Sequence, residues 1–200
     1  MIDMVFMIDG SSNQNTGNRY FVYIINIIKF ILGYLHDPNT RIGVVLYSSV
    51  MKTQSYYNYT RNQTLQSLEN LPTLPPGSLI GKSLNYTRQE FFNNSRKNAH
   101  RVLVVFTAGT SNDGVAVASK LLHNMNVTIL VVAMGDWYDI KQVEVVASQP
   151  HLNTIVFTSY YQLVHMSWKI HEMICEGKAE LLACVCGCLV ERVPFMVIES

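Results

Sequence analysis

Two hundred residues, 48% of them hydrophobic, suffice for one compact α/β domain with a two-sided core, and this mix is too apolar for a disordered chain. Fifteen basic residues stand against 14 acidic ones, so the basic face of a nucleic-acid binder and an acidic sheath are both missing from the bulk composition. Partners are therefore not selected by net charge.

Met4-Val5-Phe6-Met7-Ile8, ending at Asp9-Gly10, reads as a buried parallel strand followed by a turn. After Asn18, apolar residues at Phe21, Ile24, Ile25, Ile28, Ile31, Leu32 and Leu35 repeat at helical spacing, as a wide stripe packed on a sheet requires. Asp37-Pro38-Asn39 ends that helix, and Arg41 to Tyr47 is the second strand. Met51 to Tyr59 is polar and loosely alternating, the pattern of an antiparallel edge strand. A short amphipathic helix over Arg61–Leu71 runs into the break Pro72, Pro75, Pro76 and Gly77, and a further helix covers Ile80–Phe92.

Arg101–Thr107 is the plainest strand. Val115–Met125 is helical, with Asn112 or Asp113 placed to cap it, and Val127–Met134 is another apolar strand. Ile140–Ser148 forms a short helix, Thr154–Phe157 a strand, and Tyr161–Cys175 the last helix. Strands that are apolar throughout and alternate with helices imply a doubly wound α/β fold, with a mainly parallel sheet, one antiparallel edge strand and helices on both faces. The domain is assigned to residues 1–176.

Residues 177–200 are read as a tail outside the domain, either linker or not native to it. Its apolar stretch, Leu181 to Val190, is about half the ~20 residues of a membrane span, so no span is expected. All four cysteines fall late, at Cys175, Cys184, Cys186 and Cys188, and the C-x-C-x-C spacing matches no common zinc pattern. Cys175 is the candidate disulfide partner, and the fold itself needs no staple.

No secretory leader opens the chain, so Met1 starts either a cytosolic protein or a piece of a longer one. Five acceptor sequons, at Asn58, Asn62, Asn85, Asn93 and Asn126, favour the second and a secreted protein. Asn58 and Asn62 flank a polar connection and are the first choices for carbohydrate. Asn126 is a poorer one, because it leads into a buried strand.

In open α/β sheets ligands gather at the carboxyl ends of the strands. Three loops qualify: Asp9 to Asn13, Pro76 to Leu79, and Ala108 to Ser111. Asp9-x-Ser11-x-Asn13 resembles the D-x-S-x-S metal-ion-dependent adhesion motif of von Willebrand factor type A domains. Gly77 to Leu84 is similar to that family's G-T-x-T-G-x-A-L segment, with Ser78 in the metal-binding threonine position. Arg101 to Gly109, RVLVVFTAG, resembles the strand that ordinarily ends in T-D-G, and Gly135-Asp136 through Phe157 and Leu163 resembles the closing stretch. The wording DGSSNQNTG is most like the type A repeats of type VI collagen chains.

That resemblance implies the type A fold and an extracellular matrix module, assembling with other matrix proteins or neighbouring type A domains. Its metal site would comprise Asp9, Ser11, Asn13 and Ser78, but the third-loop aspartate is replaced by Ala108. Magnesium wants about six hard oxygens anchored by carboxylates, so a degenerate site without bound metal or other cofactor is expected. Asp9 and Ser11 are then expected to hold the first loop through backbone amides, with Asp113 capping its own helix.

Enzyme readings fare poorly. Gly81-Lys82-Ser83 mimics the end of a phosphate loop, but Pro76 stands where its first glycine belongs. No G-x-G-x-x-G, H-E-x-x-H or G-x-S-x-G is present. The expected role is binding without catalysis. Two alternatives remain: a magnesium-dependent adhesion domain gripping an acidic ligand residue, and a doubly wound nucleotide- or phosphate-binding enzyme.

Overall fold

A computed structural model describes residues 1–11, 19–35, 37–69, 71–159 and 162–176. Its strands are β1 (Ile2–Asp9), β2 (Arg41–Tyr47), β3 (Met51–Ser55), β4 (His100–Thr107), β5 (Val127–Met134) and β6 (Ile155–Thr158). Its α-helices are α1 (Arg19–Tyr34), α2 (Arg61–Ser67), α3 (Ile80–Glu90), α4 (Ala116–Asn124), α5 (Ile140–Val146) and α6 (Ser167–Glu176).

The strands form one sheet in the order β3-β2-β1-β4-β5-β6, parallel except for β3, which pairs antiparallel with β2 at the edge. β1 is apolar at nearly every position because both of its faces are covered. Met4, Phe6 and Ile8 enter a core with α1 and α6, including Ile24, Ile28, Ile31 and Ile170. Val5 and Met7 enter the opposite core with Leu84 of α3, Leu122 of α4 and Val143 of α5. Two apolar layers on one sheet make this the doubly wound, mainly parallel architecture expected from the sequence.

The N-terminal end of β1 is fixed by charge. Asp3, fully buried, accepts from Arg41 Nε (2.9 Å) and Nη2 (2.6 Å), and from the Arg96 amide (2.8 Å), Nε (3.0 Å) and Nη2 (2.7 Å). Burial raises the Asp3 carboxyl's pKa, but the Arg41 and Arg96 hydrogen bonds outweigh it and leave it below the ordinary value. Arg41 also lies 4.5 Å over the Tyr57 ring. At the same end, Gly43 of β2 is required by close packing, since a Cβ there would stand 2.3 Å from the Phe91 ring.

Two local expectations need correction. α4 is not capped by Asn112 or Asp113: its N-cap is Val115, with no side-chain bond. Both side chains turn instead to the segment that opens α3. The last helix does not run continuously from Tyr161. A 3-10 turn at Leu163–Met166 precedes α6, and the Ser167 hydroxyl donates back to the Val164 carbonyl (2.5 Å) at the junction. Further 3-10 turns occupy Phe92–Asn94 and His151–Asn153, each too short to show a period.

Candidate functional site

The chain leaves β1 towards β2 on one side and returns to β4 on the other, so the strand order reverses between β1 and β4. Loops diverge at such a switch point and leave a crevice at the carboxyl ends of the strands. Asp9 closes β1 on one side of it, and Ala108 follows β4 on the other.

Asp9 Oδ1 accepts from the Ser11 amide at 3.0 Å. Burial pushes the Asp9 carboxyl up, against hydrogen bonds from the Ser11 hydroxyl and from the backbone amides of Ser11 and Ala108. The Ala108 amide thus joins the third loop to the first. Ser11 forms an isolated bridge with Leu74, whose amide donates to the Gly10 carbonyl at 2.9 Å. The middle loop is therefore laced to the first.

Ser78 is latched to the third loop from both sides. Its amide donates to Asn112 Oδ1 (3.1 Å), and its carbonyl accepts from the Asn112 amide (2.7 Å). Among the described residues its buried hydroxyl meets no hydrogen-bond partner. An unsatisfied hydroxyl of this kind costs about 1–3 kcal/mol and marks a place for a water or another ligand. Asn13 lies outside the described residues.

Asp113 serves α3. Its carboxylate accepts from the Gly81 amide (2.9 Å) and the Lys82 amide (2.8 Å), while Ser111 Oγ accepts from the Ile80 amide (3.0 Å). The Ser111 hydroxyl donates to Asp113 Oδ1 at 2.6 Å, and the Gln142 side chain brackets Ser111 through its amide and carbonyl. Gly81 permits this docking: a Cβ on it would lie 2.2 Å from the Gly114 carbonyl oxygen. The amides of Leu79 and Ser83 are also engaged, with the carbonyls of Ser48 and Leu79. The amides of 79–83 are thus all taken within the protein, and Gly81-Lys82-Ser83 presents none to a phosphate.

Of the candidate ligands among the described residues, the crevice has the Asp9 carboxylate and the Ser11 and Ser78 hydroxyls. Position 108 supplies no side-chain oxygen, and the third loop's carboxylate faces α3. Among the described residues, no cluster of three or more His, Cys, Asp or Glu forms a metal-binding group.

Sequence reasoning overlooked Trp137. It follows β5 at the same edge, is 83% exposed, and its carbonyl accepts from Thr110 Oγ1 at 3.0 Å. The available signal was a large aromatic in a glycine-led turn at a strand's carboxyl end.

With the fold and crevice described, comparison with known proteins becomes informative. The family model for the von Willebrand factor type A domain matches residues 3–166. The chain belongs to this family. Vitrin from Homo sapiens is 25% identical over 167 residues, 82% of this chain but 24% of that protein. Matrilin-1 from Homo sapiens is 25% identical over 197 residues, 94% of this chain and 38% of that protein. The chain thus spans only a fraction of the curated relatives it matches. Proximal thread matrix protein 1 from the mussel byssus, with zinc in its MIDAS motif, superposes with a TM-score of 0.77 at 22% identity, covering 87% of this chain and 46% of that one. The relatives named here are a vitrin and a matrilin; the similarity to type VI collagen rests on the first-loop wording alone.

None of the five sequons lies in the crevice. Asn58, Asn93 and Asn126 are exposed in turns or a 3-10 segment. Asn126, expected to be a poor acceptor, stands exposed at φ 55°, a left-handed position that asparagine tolerates. Asn62 is exposed within the first turn of α2, and Asn85 is half-buried on α3. Cys175 falls within α6, with its side chain outside the described residues, as are Cys184, Cys186 and Cys188.

Proposed function

We propose that this type A domain is a binding module of the extracellular matrix, without catalytic activity, on a secreted chain that carries further domains. Its crevice edge makes protein–protein contacts, either with other matrix proteins or with neighbouring type A domains in a tandem array like that of type VI collagen chains. The matrix assignment is supported by the family resemblance and by structural similarity to a protein named for the byssal thread matrix.

The observation that carries the metal-independent form of this reading is the state of the third loop. Ala108 brings only a backbone amide to Asp9, and Asp113 is fixed on the amides of α3. One carboxylate and two hydroxyls form a poor shell for magnesium, which surrenders its hydration water reluctantly. On this reading the site is degenerate.

A second reading is favoured by the Ser78 hydroxyl: buried, and without a partner among the described residues, it stands in the position that resembles the family's metal-binding threonine. Two measurements separate the readings. Titration calorimetry with Mg²⁺ at ~1 mM should be flat, and the melting temperature should not respond to Mg²⁺ or chelator. Ala108→Asp should acquire a Mg²⁺-dependent rise in melting temperature. Beads coated with the domain should adhere to a cell-free deposited matrix equally well with and without chelator. A clear Mg²⁺ heat on the parent chain, or adhesion lost in chelator, establishes the magnesium-dependent reading. Failure to adhere under either condition overturns the matrix assignment.

A further inference from the structure

The exposed sequons share one end of the molecule. β2, β4 and β5 begin at the edge opposite the crevice, because parallel strands start together and finish together. Asn58 follows Tyr57, whose ring lies under Arg41, the first residue of β2. Asn93 precedes Asn94, whose carbonyl accepts from Arg41 Nη2 at 3.2 Å. Asn126 follows Met125, whose carbonyl accepts from Arg101 Nη1 at 2.8 Å near the start of β4. Asn62 follows Arg61, which donates to the Leu35 carbonyl just beyond the end of α1. Four sequons scattered over some seventy residues thus meet around the strand-starting edge.

Asn85 differs. It lies midway along α3, half-buried, with Oδ1 held by Arg88 Nε (3.2 Å) and Nη2 (2.9 Å).

We propose that the protein carries N-linked carbohydrate on the pole opposite its crevice, at Asn93, at Asn126 and at one or both of Asn58 and Asn62, with Asn85 bare. This rests on the extracellular reading above and adds to it a direction. Carbohydrate covers the strand-starting pole and prevents close packing there. Partners are directed to the pole that holds Asp9, Ser78 and the exposed Trp137.

The donor class is an oligosaccharide linked to a polyisoprenyl diphosphate, and the catalyst is the membrane transferase of the secretory pathway. Asparagine Nδ2 forms a bond to the anomeric carbon as that carbon's bond to the diphosphate oxygen breaks. The bonding pair leaves with the diphosphate, and one amide proton passes to base. No redox partner is needed. Acceptor sequons belong to surface loops because the amide must reach that carbon and the product must project into water.

The test is occupancy site by site. The full chain, fused to a cleavable secretory leader, is made in mammalian cells, deglycosylated with an amidase in ¹⁸O-water and mapped by peptide mass. Labelled aspartate is expected at positions 93, 126 and at least one of 58 and 62, with unlabelled Asn85. Asn93→Gln and Asn126→Gly should each remove one glycan-sized step in gel mobility; glycine preserves the positive φ at 126 without strain. Label at Asn85, or a secreted chain bare at Asn93, at Asn126 or at both Asn58 and Asn62, overturns the inference. The adhesion assay above is run on unglycosylated chain from bacterial cytoplasm. Failure there condemns the matrix reading, whereas a wrong glycan map condemns only this one.

Discussion

Asp3→Asn should be strongly destabilising. The side chain is fully buried and accepts five hydrogen bonds from Arg41 and Arg96. An asparagine keeps one carbonyl oxygen, turns an NH₂ towards guanidinium donors and leaves two cations facing one another. Removing one member of a buried ionic cluster costs about 3–5 kcal/mol. The arginine side chains are each 28% exposed and can recover some hydration, which places the cost near the lower figure, ~3 kcal/mol. For a domain of this size that is roughly 6–12 °C in melting temperature.

The pH dependence provides an independent check. The folded carboxyl's pKa lies below the ordinary 3.8, so its contribution is complete above that value and is lost as pH falls through the folded pKa. Urea denaturation between pH 7 and pH 3 should show the parent losing stability on the acid side, with a shallower loss in Asp3→Asn. A variant within ~1 kcal/mol of the parent at pH 7 would be ordinary for any substitution and would refute the account. So would an unchanged acid limb.

Other outcomes follow from the same contacts. Asp113→Ala leaves the Gly81 and Lys82 amides without their carboxylate and should cost ~1–2 kcal/mol, as a lost helix cap does; hydrogen exchange at 80–82 should accelerate while α4 is unaffected, and the reverse pattern would contradict the cross-loop cap. Gly43→Ala drives a methyl against the Phe91 ring from 2.3 Å and should cost about 1–3 kcal/mol by chemical denaturation; a neutral result would mean that the ring can retreat. Tyr47→Phe removes the buried donation from its hydroxyl to the Phe106 carbonyl (3.2 Å) and should cost ~1 kcal/mol without altering adhesion.

What the sequence disclosed depended on range. Arg41–Tyr47 and Val127–Met134 were legible to the residue, since a strand covered on both faces is written as an unbroken apolar run. The placement of Asp9 beside Ala108 was legible too, because strand alternation and strand-end chemistry fix which loops share an edge. The Asp3 cluster was not. Its partners lie 38 and 93 residues away, and a lone aspartate near the start of a strand has no local pattern. Asp113 was misassigned for a related reason: a capping residue close in sequence to α4 looks local, yet its carboxylate reaches across to α3. Trp137 became visible only when its backbone was seen joined to Thr110.

The third loop ties together elements that lie far apart in the chain. Position 108 carries no carboxylate, its side chain packs against the core beside α1 and α6, and the nearest carboxylate, Asp113, is directed to the start of α3. Asp113 lies where the helix dipole favours negative charge, on amides that otherwise require solvent or a ligand. Asn112 clasps Ser78, and Ser111 is held by Gln142 of α5, so α3, α5 and two crevice loops are joined through three consecutive residues. Such a loop is strengthened by its internal bonds whether or not an ion is present. Under the metal-independent reading proposed above, a crevice stiffened in this way would present a fixed surface to a partner without an ion to order it.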